Sequence, residues 1–245
     1  MATHNFTPVL GKRYRVTTLD ECGKITDAAE SIVGDGFVSV TLSSETEEGT
    51  EIIQRKFTGA LCVNERQSDS FKRFTLEIEF CGVNPDLLSA VSNAQPYMDA
   101  GGDTAGFTVP EGDITKMFAL ELWMGLSGQA CGEGQDEASG YLLLPFVQAG
   151  VLGDIEIGGE DAVTFSLTGA YTKGGNGWGV GPFDVVYGEG NTPAPLPEAL
   201  DPLDHLLMMD TGLAVPAITD ELAPVNESGG TTTTTTTTAG GGSGE

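Results

Sequence analysis

Positive charge is scarce in this chain: 11 Lys and Arg stand against 36 Asp and Glu in 245 residues, a formal net charge of −25. Non-specific affinity for nucleic acid depends on Lys and Arg neutralising phosphates and releasing their counterions, so this balance argues against a DNA-binding role. Acidity that serves solubility alone gives the same balance. Histidine is limited to His4 and His205, and Cys22, Cys62, Cys81 and Cys131 are far apart with no CxxC pair. No zinc pattern arises from such a set, and His205 reads as packing or surface. The start MATHNF is unlike a secretory signal, and no apolar run reaches the ~18 residues of a membrane span. Free, mostly buried thiols are therefore expected, in a chain made and assembled in cytoplasm without membrane insertion. GxSxG and HExxH motifs are missing too, so no enzyme, catalytic residue, metal or cofactor is expected.

What is present is alternation. Gly36 to Leu42 reads as a strand, and Glu51 to Val63 as another, bent at Gly59. Between them, Glu45, Glu47, Glu48 and Glu51 crowd around Gly49, which predicts a polar hairpin tip. Paired carboxylates invite a glycosidase reading, but an acid catalyst needs burial to raise its pKa, and this tip has no apolar surroundings. From Phe71 to Phe80 the apolar Phe74, Leu76, Ile78 and Phe80 share one face, and Thr75, Glu77 and Glu79 the other. Asn84, Pro85 and Asp86 have the order of a helix start, and Leu87, Leu88 and Val91 form the stripe of a short amphipathic helix ending near Ala94. Lys116 to Met124 is apolar on both faces except at Glu121, which suits a strand covered on one side and partly at a subunit contact. The residues thus predict an all-β protein with one flanking helix.

Lys12, Arg13 and Arg15 invert the local charge near the start. They form either a solvated strand face or a patch that meets acidic residues of a neighbouring subunit. From Asn191 onward there are eight acids and no base, with a proline cluster that cannot be interior sheet. Leu203 to Met209 is apolar enough to dock back as a strand or a helical turn. The expected divisions are a β domain over 1–190, a docking arm over 191–228 and a disordered Thr/Gly-rich tail over 229–245.

Gly140 to Gly188 packs strand-like runs between glycines. Val163, Phe165 and Leu167 alternate with Thr164, Ser166 and Thr168, and TKGGNGWGVGP reads as a tight turn beside a buried Trp178. The run GYLLLPFVQAGVLGDIEIGGEDAVTFSLTGAYTKGGNGWGVGPFDVV, with KRYRVTTLDECGKI and ALELWMG, resembles the major tail (tail tube) proteins of long-tailed bacteriophages of actinobacteria, over roughly residues 10 to 210.

That resemblance implies a β-sandwich or barrel subunit that oligomerises into six-membered rings with a continuous inner β-barrel, stacked into a tube that conducts DNA. On this reading Glu77, Glu79 and Glu121 are candidates for the lumen wall, although sequence shows a strand's face and not whether it points to a lumen or to bulk solvent. Glu45, Glu47, Glu48 and Glu51 would form an inter-ring stacking loop, and Lys12, Arg13 and Arg15 an inter-subunit patch. Implied partners are further copies of the chain plus tape-measure, tail terminator and baseplate proteins, in a virion. The alternatives are a head decoration or tail-completion protein, or an acidic cell-surface adhesin or pilin-like module.

Overall fold

A computed structural model describes residues 8–82, 84–126, 139–156, 164–175, 177–219 and 221–225. The expectations for Val163, Cys131 and the tail 229–245 lie outside the described residues. In chain order come β1 (Pro8–Leu19), β2 (Glu30–Gly34), β3 (Phe37–Glu47), β4 (Glu51–Arg55), β5 (Leu61–Arg66) and β6 (Ser70–Phe80). One α-helix, α1 (Pro85–Val91), precedes β7 (Gln95–Met98), β8 (Thr104–Thr108), β9 (Met117–Leu126), β10 (Ser139–Gln148), β11 (Val151–Glu156) and β12 (Thr164–Thr172). Four further strands follow: β13 (Val186–Tyr187), β14 (Pro193–Ala194), β15 (Leu207–Thr211) and β16 (Ala223–Pro224). Over the described residues the protein is all-β with a single α-helix.

One hydrogen-bonded sheet folds over to make two layers. The first half of β10 pairs with β9 and β15, while its end, at Val147 and Gln148, pairs with β12. Register shifts at Leu144/Val147 on β10 and at Leu167/Ala170 on β12 mark the corner, where bulged strands bend most easily. The front layer runs β16-β2-β1-β9-β10-β15 and the back layer β3-β6-β12-β11. Alternation puts Val16, Leu120, Leu122 and Leu144 of the front against Leu76, Ile78, Phe80 and Leu167 of the back. The helix closes onto this core with Leu87, Ala90 and Val91. Its start is set by Asn84, whose side chain accepts hydrogen bonds from the Asp86 and Leu87 amides, and by Pro85 in the first turn.

The opposite face of the front layer is covered by the same chain, which corrects the expectation that β9 lies partly at a subunit contact. Ala119, Trp123, Tyr141 and Leu143 pack under Trp178, Phe183, Val185 and Leu196 in a second core. Trp178 is buried in a tight turn, and a Cβ on Gly181 (φ 79) would sit 2.8 Å from its indole nitrogen. The apolar run near Leu203 docks as a strand: β15 pairs with β10, Leu207 opposite Leu143 and Met209 opposite Tyr141.

Candidate functional site

The outer face of the back layer is polar across its strands. Ser39 stands opposite Glu79 and Thr41 opposite Glu77 on the β3–β6 ladder, and Ser166 of β12 flanks Glu79 on the other side. Glu77 is exposed, whereas Glu79 is half-buried and accepts a 3.3 Å hydrogen bond from the Ser39 hydroxyl. Their neighbours on β6, Leu76, Ile78 and Phe80, are all buried, so the two carboxylates point away from the core. The strands at the two ends of this layer, β3 and β11, each have one edge with no strand partner among the described residues. Both carry exposed apolar side chains, Val38 on β3 and Val151 and Ile155 on β11.

The layer continues into a projecting arm. β3 pairs with β6 as far as Glu47 opposite Ser70, and beyond a break β4 pairs with β5. This corrects two expectations. Residues 51–63 are not one bent strand but parts of two, joined by a turn in which the Gly59 amide (φ 82) donates to the Lys56 carbonyl at 2.8 Å. The acidic run 45–51 is not a hairpin tip either: Glu45 and Glu47 belong to β3 and Glu51 opens β4, with only Glu48 in the break. The reason is pairing partner, since β3 pairs with β6 and not with the strand that follows it.

The break itself is stapled. The Gly49 amide donates to Asp69 at 2.9 Å, the Gln67 amide to the Thr50 carbonyl at 3.1 Å, and Arg66 pairs with Asp69 at 3.2 Å. A Cβ on Gly49 would fall 2.0 Å from the Gln67 carbonyl oxygen, so only glycine lets the two strands approach there. Glu45 is held by Arg73 at 2.5 Å and Lys72 at 3.1 Å, and its hydrogen bonds from Arg73 and then Lys72 keep its carboxyl below the usual range. Past the staple every residue from Thr50 to Cys62 is exposed. At ~3.3 Å per residue, the five and six residues of β4 and β5 carry the arm roughly 20 Å outward.

Arg15 and Glu121 do not belong to either proposed surface. Arg15 is 5% exposed and Glu121 0%, and they meet in two hydrogen bonds, Nε to Oε2 at 2.5 Å and Nη2 to Oε1 at 2.6 Å. The Tyr141 hydroxyl donates to the same Oε1 at 2.7 Å. The guanidinium lies 3.3 Å from the ring centre of Phe183 and 5.0 Å from that of Trp123, a stacking that replaces lost hydration. Burial first, and then the Glu121 carboxylate, push the Tyr141 phenol well above its ordinary value. The candidacies of Glu121 for a lumen wall and of Arg15 for an inter-subunit patch are thereby corrected, because each is the other's buried counter-ion within one chain. Arg13 is likewise engaged at home, with Asp35 at 2.9 Å. Lys12, Arg13 and Arg15 thus form no continuous exposed cationic patch.

Three thiols are also placed otherwise than expected: Cys22, Cys62 and Cys81 are free and exposed. Each sits at a turn or on the arm, beyond the reach of either core. His205 packs edge-on to Phe71, ring centres 5.3 Å apart, and shares a 2.6 Å hydrogen bond with Thr172. Among the described residues no group of three or more His, Cys, Asp or Glu could hold a metal ion, and no helix is long and apolar enough to cross a membrane. Chemically, then, these surfaces offer backbone edges, hydroxyls and carboxylates, which suit contact and exclusion. No protein-family model and no curated protein matches the chain.

Proposed function

We propose that this protein is a non-enzymatic virion subunit that joins copies of itself into rings, stacked into the tail tube of a long-tailed phage as an acidic conduit for DNA. One observation carries the reading: the back layer presents a hydroxyl and carboxylate face while each of its edge strands, β3 and β11, has one side with no strand partner among the described residues. Open edges are a liability that monomeric proteins blunt, and edge-to-edge closure into a barrel removes them. Exposed Val38, Val151 and Ile155 would be covered in such a closure. A wall carrying Glu77 and Glu79 repels phosphate, so a polyanion slides past without being trapped. The projecting arm supplies an element able to reach the next ring. Six-membered rings, and contacts with tape-measure, tail terminator and baseplate proteins, belong to the same proposal.

Negative-stain microscopy of the purified protein is the test. Rings or tubes with a central channel are expected; a dispersed monomer at every concentration rejects the reading.

A further inference from the structure

The tip of the arm poses a problem in physical chemistry. Phe57 is fully exposed, and Ile52, Ile53 and Leu61 are about half exposed. A two-stranded hairpin alone is marginal in water, and apolar groups on both of its faces call for a covering surface. The tip's charge narrows the choice of cover. Between Glu51 and Glu65 there is no acid, while Arg55 and Lys56 immediately precede Phe57, in a chain whose net charge is −25. Arg55 donates to the Gly59 carbonyl at 3.2 Å, which rigidifies the turn and leaves most of its donors unused.

One groove on the molecule has the opposite character. It lies where the end of β1 meets α1, with a volume of about 420 Å³. Leu19, Met117 and Leu222 supply apolar lining, and Asp20, Glu21 and Glu30 supply carboxylates. Lys116 is the only cation among the described residues that line it, and its ammonium already donates to the Ser89 carbonyl.

We infer that the Arg55-Lys56-Phe57 tip of one copy docks in the Asp20-Glu21-Glu30 groove of a second copy. The inference rests on the self-assembly reading and deepens it by naming the receptor. Phe57 enters between Leu19, Met117 and Leu222, and the two cations meet the three carboxylates, so apolar burial supplies affinity and charge supplies register. Asp20 also caps its own turn, accepting from the Cys22 and Lys24 amides, so Glu21 and Glu30 are the positions to alter.

Cys22, exposed beside the groove, provides the probe. In the full chain carrying Cys62→Ser, Cys81→Ser and Cys131→Ser, the further change Thr58→Cys, which keeps Phe57 in place, is expected with diamide as oxidant to yield a disulfide to Cys22 of another copy. A Cys22→Ser control should abolish it. Separately, Glu21→Lys with Glu30→Lys should weaken self-association at least about tenfold, and adding Arg55→Glu with Lys56→Glu should restore it. Thermal melts establish that each variant is folded. Rings or tubes that form without the crosslink and without charge-swap rescue overturn this docking while sparing the tube. Insensitivity of assembly to the groove charges does the same, and leaves the groove to another occupant. A chain that stays monomeric and uncrosslinked overturns both.

Discussion

Arg15 on β1 and Glu121 on β9 stand directly opposite each other in the ladder, and both of their charged groups are sealed beneath Phe183 and Trp123. Removing one member of such a pair leaves an uncompensated buried charge, whereas replacing both with apolar groups of similar size does not. Glu121→Ala is expected to destabilise the protein by about 3–5 kcal/mol, and Arg15→Met with Glu121→Leu and Tyr141→Phe, which also removes the hydroxyl that donates to Glu121, to fall near the parent. Urea denaturation of the two variants measures the difference. Equal losses in both would mean that packing, not charge, holds this layer.

The pH dependence should carry a signature of His205. Burial lowers its pKa below the ordinary 6.5, opposed in part by Asp204. The unfolded chain then takes up the proton first as pH falls. The stability this group contributes is full above 6.5, declines below it and levels off under the folded value. Comparing urea midpoints at about pH 7.5 and about pH 5.5, the parent should lose more than His205→Leu. Identical losses would remove the imidazole from the account.

Glu77→Lys with Glu79→Lys should leave the fold within about 0.5 kcal/mol of the parent, because neither side chain enters the core. On the tube reading the same change turns a repelling wall into a binding one. Virions carrying it are expected to have tails of normal shape and delayed DNA release, read by potassium efflux or DNA delivery after adsorption. Wild-type infectivity would take both residues off the wall.

Deleting residues 51–66 and joining Thr50 directly to Gln67, whose amide lies 3.1 Å from the Thr50 carbonyl, should spare both cores, since every residue removed is exposed except the half-buried Val63. Folded subunits that no longer elongate into tubes are expected by sedimentation and microscopy. Normal tubes would deny the arm any role in stacking.

Asn84→Ala removes the acceptor for two amides at the start of α1 and is expected to cost about 1 kcal/mol. Because the helix buries Leu87 and Val91 in the main core, the loss should appear in global unfolding and not as local fraying.

Much of the architecture was legible in residue order because period-two alternation and the helix start are local signals. The Phe74-to-Phe80 face, the Asn84-Pro85 start and the close turn at Trp178 were each readable from a handful of neighbours. What escaped was pairing at a distance. Glu121 stands out in the sequence as the lone acid on an apolar strand, but its counter-ion is 106 residues away, at Arg15. Its cover comes from residues later still. The acidic run at 45–51 has the composition of a loop, yet Glu45 lies in a strand because Arg73 across the ladder neutralises it. Gly59, read as a bend, is the real reversal; two short apolar runs separated by Lys-Phe-Thr-Gly-Ala hold no local cue to separate a bend from a turn.

The second core also dictates an order of events. Trp178, Phe183, Leu196 and the strands β15 and β16 all lie after β1, β9 and β10 in the chain, so a chain that ends at β10 leaves the Arg15 guanidinium and the Glu121 carboxylate without their cover. Completion of that site therefore waits on the last third of the sequence, and a chain cut short before residue 178 is expected to open a buried ion pair to water.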